Sequence, residues 1–178
     1  MSTTDPYNDV PYSAHSIPQM HPDHIAIAGL LRGMSPAPMS RCRVLELGCA
    51  DGSHLLPLAA QWPQSQFLGL DRAAVQIQQG QAVITELGLD NIELRAADLL
   101  AFEGDGEPFD YILCHGVYSW VPEPVQQRIL QICQRRLAPS GLAYASYNLL
   151  PGFYRRQPIM EMMRYHVRGM TDPGAIVQ

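Results

Sequence analysis

From residue 43 onward, short apolar runs alternate with longer stretches whose apolar positions recur every three or four residues. The runs RVLELG (43–48), QFLGLD (66–71), NIELRAAD (91–98), DYILCHG (110–116) and GLAYASYN (141–148) have the length and aliphatic content of buried strands. Between them, 53–62, 72–88 and 122–138 read as helices. In 72–88, Ala73, Ile77, Gly80, Ile84 and Leu87 fall on one face, and Gly88 is suited to cap the C-terminus. In 122–138, Val125, Ile129, Ile132 or Cys133, and Leu137 are expected to point inward. A last helix over roughly 157–168 puts Ile159, Met163 and either His166 or Val167 on one face.

Strands joined by helices predict an α/β fold: a Rossmann-like, doubly wound parallel sheet with right-handed crossovers and the order 3-2-1-4-5. A full fold of this type continues after strand five with an antiparallel hairpin, and only about thirty residues remain beyond 148. The hairpin is therefore expected to be lacking. The bare strand-five edge should then be shielded by the C-terminal helix, by a second copy in a homodimer, or by a missing C-terminal domain.

Residues 1 to about 24 are rich in Pro, Tyr, His and Ser and have no steady period. A helix is expected from about His21 to Gly33, with Ile25, Ile27, Ala28, Leu30 and Leu31 as its apolar side, followed by the loop SPAPMS. The expected organisation is an N-terminal arm and helix over 1–40, a cofactor-binding domain over 41–150, and a helical segment over 151–178 truncated before a further domain. The arm is a candidate lid, with Tyr12 and Gln19 as its cofactor contacts.

Composition narrows the classes. The chain has 178 residues, 47% hydrophobic and 16% charged, with a formal charge of -5. That balance weighs against nucleic-acid binding, which needs a basic surface. No apolar run is long enough for a membrane span, and the N-terminus lacks the features of a signal peptide. The expected location is cytoplasmic. Cys42, Cys49, Cys114 and Cys133 form no CxxC spacing and read as reduced core residues. The HPDH run (21–24) is a poor zinc set without a fourth ligand, so no metal is expected.

The chemistry concentrates in VLELGCADG (44–52). Ligands of open parallel sheets bind beyond the carboxyl ends of the strands where the strand order reverses, and this turn lies there. A dinucleotide fold wants G-x-G-x-x-G. Here Gly48 and Gly52 bracket Ala50, and that register fails, which disfavours a nicotinamide dehydrogenase. S-adenosylmethionine has no phosphate and carries an ammonium and a sulfonium, so the Glu46 carboxylate beside the turn suits it better. Asp71 ends strand two, where it can accept ribose hydroxyls. Asp98 ends strand three, where it can accept an adenine amino proton while Leu99 packs on the ring.

VLELGCADG, FLGLD, LRAADL, FDYILCHGVYSWVP and LAPSGLAYASYN resemble class I S-adenosylmethionine-dependent methyltransferases over roughly 40–148. YNDVPYSAHSIPQMHPDHIA, HGVYSWVP and YNLLPGFYRR are similar to bacterial methyltransferases with a methyltransferase regulatory domain, which include protein-lysine methyltransferases. The resemblance implies that Glu46, Gly48 and Gly52 line the methionine end, with Cys49 in the turn partly exposed to the cofactor. It implies Asp71 on the ribose, with Arg72 beside it, and Asp98 and Leu99 on the adenine. The backbone of His115 and Gly116 is implied near the sulfonium, and S-adenosylhomocysteine is the implied product. Ala50 departs from the glycine that many members carry.

Methyl transfer needs orientation and exclusion of water more than an acid. A base helps when the acceptor arrives protonated, and His115 or Tyr118 after strand four is the candidate catalytic residue. The chain lacks the Asn/Asp-Pro-Pro-Tyr run that holds flat amino groups. The expected acceptor is an amine or a hydroxyl, a protein lysine or a small molecule. The alternative is a cofactor-binding module without turnover.

Overall fold

The computed structural model describes residues 17–104 and 106–169. Strands β1 (Arg43–Leu47), β2 (Gln66–Asp71), β3 (Ile92–Ala96), β4 (Phe109–Cys114) and β5 (Leu137–Ala145) form one sheet in the order β3-β2-β1-β4-β5, with every neighbouring pair parallel. The helices are α1 (Pro22–Leu30), α2 (Leu55–Gln61), α3 (Ala74–Leu87), α4 (Glu123–Arg136) and α5 (Gln157–His166). Among the described residues no antiparallel strand joins β5, and no helix is long and apolar enough to cross a membrane.

The central strands are apolar on both faces because both faces are covered. Side chains alternate between the faces with period two. Val44, Tyr111 and Leu113 share one core with Leu55, Leu58 and Ile77 from α2 and α3. Leu45, Leu47, Ile112 and Cys114 share the other with Ile129 and Ile132 from α4. Cys42, Cys49 and Cys114 are buried, Cys133 is half-buried, and all four are free thiols.

Four local expectations are corrected by packing. First, α1 ends at Leu30, and Ile27, Leu30 and Leu31 of its expected apolar side are exposed. The helix meets β5 through its smallest residue instead: a methyl group on Gly29 would lie 2.8 Å from Leu142 Cδ1. Second, Leu87 is 56% exposed. Gly88 adopts a left-handed φ of 63°, Leu89 N–H donates to Ile84 O, and Gly88 N–H donates to Thr85 O. This double bond carries Leu89 back onto the core beside Ile84.

Third, β5 begins at Leu137, directly after α4, rather than at 141. Its pairing shifts register between Phe109↔Leu137 and Tyr111↔Leu142, so Pro139, Ser140 and Gly141 form an irregularity within the strand instead of a preceding turn. Fourth, α5 buries no residue. Ile159 and Met163 are exposed, so the face expected to shield the sheet edge does not do so.

Candidate functional site

The turn after β1 is closed by its neighbours. Gly48 N–H and Cys49 N–H both donate to Leu70 O, at 2.8 and 3.1 Å, and Gly52 N–H donates to Cys49 O at 2.9 Å. Gly48 and Gly52 have φ of 81° and 79°, a region in which a Cβ is costly. Added methyl groups would also strike Val117 at Gly48 and Leu94 at Gly52. Ala50 occupies the same left-handed region at φ 52°. Gly80 of α3 lies so close to the Asp51 carbonyl that any side chain there would collide with it.

Asp71 holds this turn. Its Oδ2 accepts Ala50 N–H at 2.8 Å and its Oδ1 accepts Ala73 N–H at 2.8 Å. Each carboxylate oxygen retains a second lone pair for a ligand hydroxyl. Asp51 accepts both the amide and the hydroxyl of Ser53, at 3.0 and 2.6 Å.

Glu46 lies on the face shared by Val44 and is 5% exposed. Its Oε2 is buried without a hydrogen-bond partner. Burial, then the nearby Asp71 and Asp51 carboxylates, raise its pKa to about 8. A buried acid beside two further carboxylates is a site that a cation would stabilise, because ionised Glu46 lacks a counter-charge.

The third strand end differs. Asp98 is exposed, and its Oδ1 accepts Leu100 N–H at 2.9 Å, a turn-forming contact. It also lines an open cleft of about 510 Å³ with Ala97, Ala101 and Phe102. Leu99 is half-buried against the α4-side core, and its carbonyl accepts from Arg128 Nε at 3.3 Å. Arg72 is exposed immediately after Asp71. Cys49 is 4% exposed, with its sulfur so close to Gly69 that a methyl there would lie at 2.7 Å. Its expected partial exposure is thus corrected: its side chain packs the turn onto β2.

His115 and Gly116 follow β4. His115 Nδ1 lies 3.2 Å from the Tyr144 hydroxyl, and Gly116 N–H donates to Ser146 Oγ at 2.8 Å. Tyr118 is half-buried, and its carbonyl accepts from Gln126 Nε2 at 2.9 Å. Val117, between them, is the residue that abuts Gly48.

Gln19 is exposed on the short turn Pro18–Met20, and Tyr12 lies outside the described residues. Met20 beside it is fully buried in the α2-side core. His54, at the start of α2, is 4% exposed. Its Nδ1 accepts Ile17 N–H at 3.5 Å, the long limit for such a bond. Its Nε2 is buried without a partner. Burial, then the nearby His21, lowers its pKa to about 4. Among the described residues no group of three or more His, Cys, Asp and Glu could hold a metal ion.

Glu46, the glycine turn and Asp71 are therefore brought together as their sequence positions imply. Asp51, His54, Tyr144 and Ser146 were not singled out from sequence. Only Asp51 carried a local signal, as an acid within the glycine turn.

Residues 44–141 match the family described as "Methyltransferase domain". The chain is 38% identical over 94% of its length to "Uncharacterized protein RP789" of Rickettsia prowazekii (strain Madrid E), and 39% identical over 90% to "Uncharacterized protein RP028" of the same organism. Among solved structures, PKMT2 from Rickettsia typhi in complex with AdoHcy superposes with a TM-score of 0.84 at 38% identity, covering 90% of this chain. The chain spans 30% of the length of the first relative, 64% of the second and 31% of the solved PKMT2 chain.

Proposed function

We propose that this chain, which belongs to the methyltransferase-domain family, is an S-adenosylmethionine-dependent methyltransferase acting on an amine, the side-chain nitrogen of a protein lysine. The observation that carries the cofactor half of this reading is Glu46, a buried carboxylate with an unpartnered Oε2. The ammonium or sulfonium of S-adenosylmethionine supplies the missing positive charge. The lysine half is supported by the similarity to PKMT2, and the absence of the Asn/Asp-Pro-Pro-Tyr run after β4 weighs against flat amino groups as acceptors.

The residues fit the cofactor. Gly48 and Gly52 let the turn take its left-handed course against Val117 and Leu94, which keeps its backbone beside Glu46 and Asp71. Glu46 would neutralise the cationic end, Asp71 would accept ribose hydroxyls, Arg72 would flank them, and Asp98 and Leu99 would border the adenine. When bound, S-adenosylmethionine supplies an electrophilic methyl group on a leaving group that departs as a neutral thioether. The chain's task is to orient the acceptor in line with that methyl and to keep water out. A lysine ammonium must first lose a proton. His115 and Tyr118, from the loop that abuts Gly48, are the groups proposed to hold the acceptor nitrogen or take that proton.

Calorimetric titration of S-adenosylhomocysteine and of NAD tests the cofactor half. Saturable S-adenosylhomocysteine binding that Asp71→Ala weakens at least about tenfold is expected, and NAD binding alone would overturn it. Mass spectrometry of lysine-containing peptides incubated with the chain and S-adenosylmethionine tests the acceptor. A mass gain of one methyl on lysine is expected; methylation confined to hydroxyl-bearing peptides would overturn the amine assignment.

A further inference from the structure

The segments that leave β4 and β5 are knitted into one surface. Gly116 N–H donates to Ser146 Oγ at 2.8 Å, Asn148 N–H donates to Ser119 Oγ at 2.8 Å, and Ser146 N–H donates to Cys114 O at 2.9 Å. Three aromatic pairs stand on this frame. Tyr118 and Tyr147 meet edge to face, with ring centroids 6.4 Å apart and planes at 64°. His115 and Tyr144 lie nearly parallel, at 5° and 6.0 Å. Trp120 meets Phe153 at 6.2 Å and 72°. Tyr147 is 59% exposed and Trp120 is 53% exposed, although rings of this size are usually covered. The frame is coupled to the glycine turn, because Val117 packs against Gly48.

Charge is conspicuously missing here. Neither 115–121 (HGVYSWV) nor 144–150 (YASYNLL) contains Asp, Glu, Lys or Arg. A carboxylate-bearing acceptor would find no side-chain cation in these two segments. An acceptor held by an acidic side chain would find no such acid in them either. Beside the exposed Leu149 and Leu150, the surface offers aromatic rings, whose quadrupoles attract a cation and give a neutral alkyl chain no comparable preference.

We propose that Tyr147, together with Tyr118, forms the wall of the methyl-acceptor subsite and selects a flexible aliphatic ammonium, the side-chain chemistry of lysine. The inference rests on the methyltransferase reading above and deepens it by assigning a residue from the β5 end to the acceptor. It also accounts for the charge movement in the reaction. The nitrogen lone pair forms the new N–C bond, the C–S electron pair returns to sulfur, and the positive charge passes from sulfur to nitrogen. Ring faces beside that nitrogen favour it as it becomes cationic. The proton lost earlier by the ammonium goes to the base or to solvent, and the rings take no part in that step. Tyr144, hydrogen-bonded to His115 Nδ1, is a positioning residue for the loop that carries Tyr118.

The test uses the chain saturated with S-adenosylhomocysteine and two probes: the tripeptide acetyl-Gly-Lys-Gly-amide and its analogue with norleucine in place of lysine. Ring-proton NMR shifts report binding. The lysine probe is expected to shift the Tyr118 and Tyr147 resonances, and the norleucine probe to bind at least about fivefold more weakly. Tyr147→Leu, which keeps bulk and removes the ring, is expected to erase that discrimination. Tyr147→Phe, which keeps the ring, is expected to retain it. S-adenosylhomocysteine affinity, measured on the same samples, should stay within about twofold in both variants, because Tyr147 is placed on the acceptor side. If S-adenosylhomocysteine binds and the two probes do not differ, or Tyr147→Leu leaves their difference intact, the subsite assignment is wrong and the methyltransferase reading stands. If S-adenosylhomocysteine itself does not bind, both fall together.

Discussion

The Asp71 carboxylate accepts the backbone N–H of Ala50 at 2.8 Å, across 21 positions of sequence. One side chain at the end of β2 therefore holds the turn after β1, in addition to the ribose contact proposed for it. Its two tasks can be separated. Asp71→Ala strands the amides of Ala50 and Ala73 and should cost about 1–3 kcal/mol of stability in addition to cofactor affinity. Asp71→Asn keeps one acceptor oxygen and should recover part of the stability but little of the affinity. Thermal denaturation read beside calorimetric S-adenosylhomocysteine binding distinguishes the two losses. Equal recovery of both by Asn would show that only the turn matters.

Ala50 sits at φ 52° and Gly48 at φ 81° within the same turn. An L-residue in the left-handed region costs about 1–2 kcal/mol, and glycine gives back part of that in unfolded-state entropy. Ala50→Gly should therefore raise stability by up to about 1 kcal/mol. Gly48→Ala should lower it, since the new methyl meets Val117 as well as an unfavourable φ. Pairing it with Val117→Ala should restore only the steric share. Denaturant midpoints of the four proteins would test this, and full rescue by Val117→Ala would mean that backbone strain contributes nothing.

The pKa of Glu46, raised to about 8 from 4.5, sets a pH dependence with a definite sign. Between those values the folded chain holds a proton that the unfolded chain has released. The Glu46 contribution to ligand-free stability should thus be greatest at low pH in that window and decline as pH rises through about 8. Glu46→Gln should flatten the decline. A cationic cofactor favours the ionised form, so binding below pH 8 should release up to one proton. Calorimetry in buffers of different ionisation enthalpy reads that proton directly. A binding heat independent of buffer at pH 7 would count against Glu46 as the counter-charge.

His54 titrates in the opposite sense. Its pKa, lowered to about 4 from 6.5 by burial and then by the nearby His21 and His115, keeps the folded imidazole neutral. As pH falls from about 6.5 to 4, the unfolded chain takes up a proton that the folded chain refuses, and the His54 contribution to stability drops by up to roughly 3 kcal/mol. Because His54 Nδ1 accepts Ile17 N–H, protease cleavage near Ile17–Met20 should rise over the same window. His54→Gln should reduce both changes. An unaltered acid limb in the variant would assign the loss to other groups.

What was legible in the sequence was local. A strand that runs into a glycine turn, an acid two places before it, and acids at two further strand ends are readable because each signal is complete within about ten residues. The alternation of strands and helices, the rule that parallel crossovers run one way and the single reversal of a doubly wound sheet together lead to the observed strand order. The Gly88 cap was legible for the same reason.

Tertiary packing decided the rest. Glu46 is an ordinary carboxylate in the sequence, and it becomes a buried acid without a counter-charge only when the assembled sheet covers it and brings Asp71 and Asp51 near. Leu87 and Leu89 are indistinguishable by composition, and the hydrogen bonds at Gly88 place one in solvent and the other on the core. His54 gains its role from an arm 37 positions away. Tyr118 and Tyr147 are 29 positions apart and become a pair because β4 and β5 lie side by side. Backbone geometry and hydrophobic period act within a few residues and survive in a linear reading. Desolvation, charge proximity and ring contact depend on which chain segments exclude water from one another, and that is determined only when the sheet is assembled.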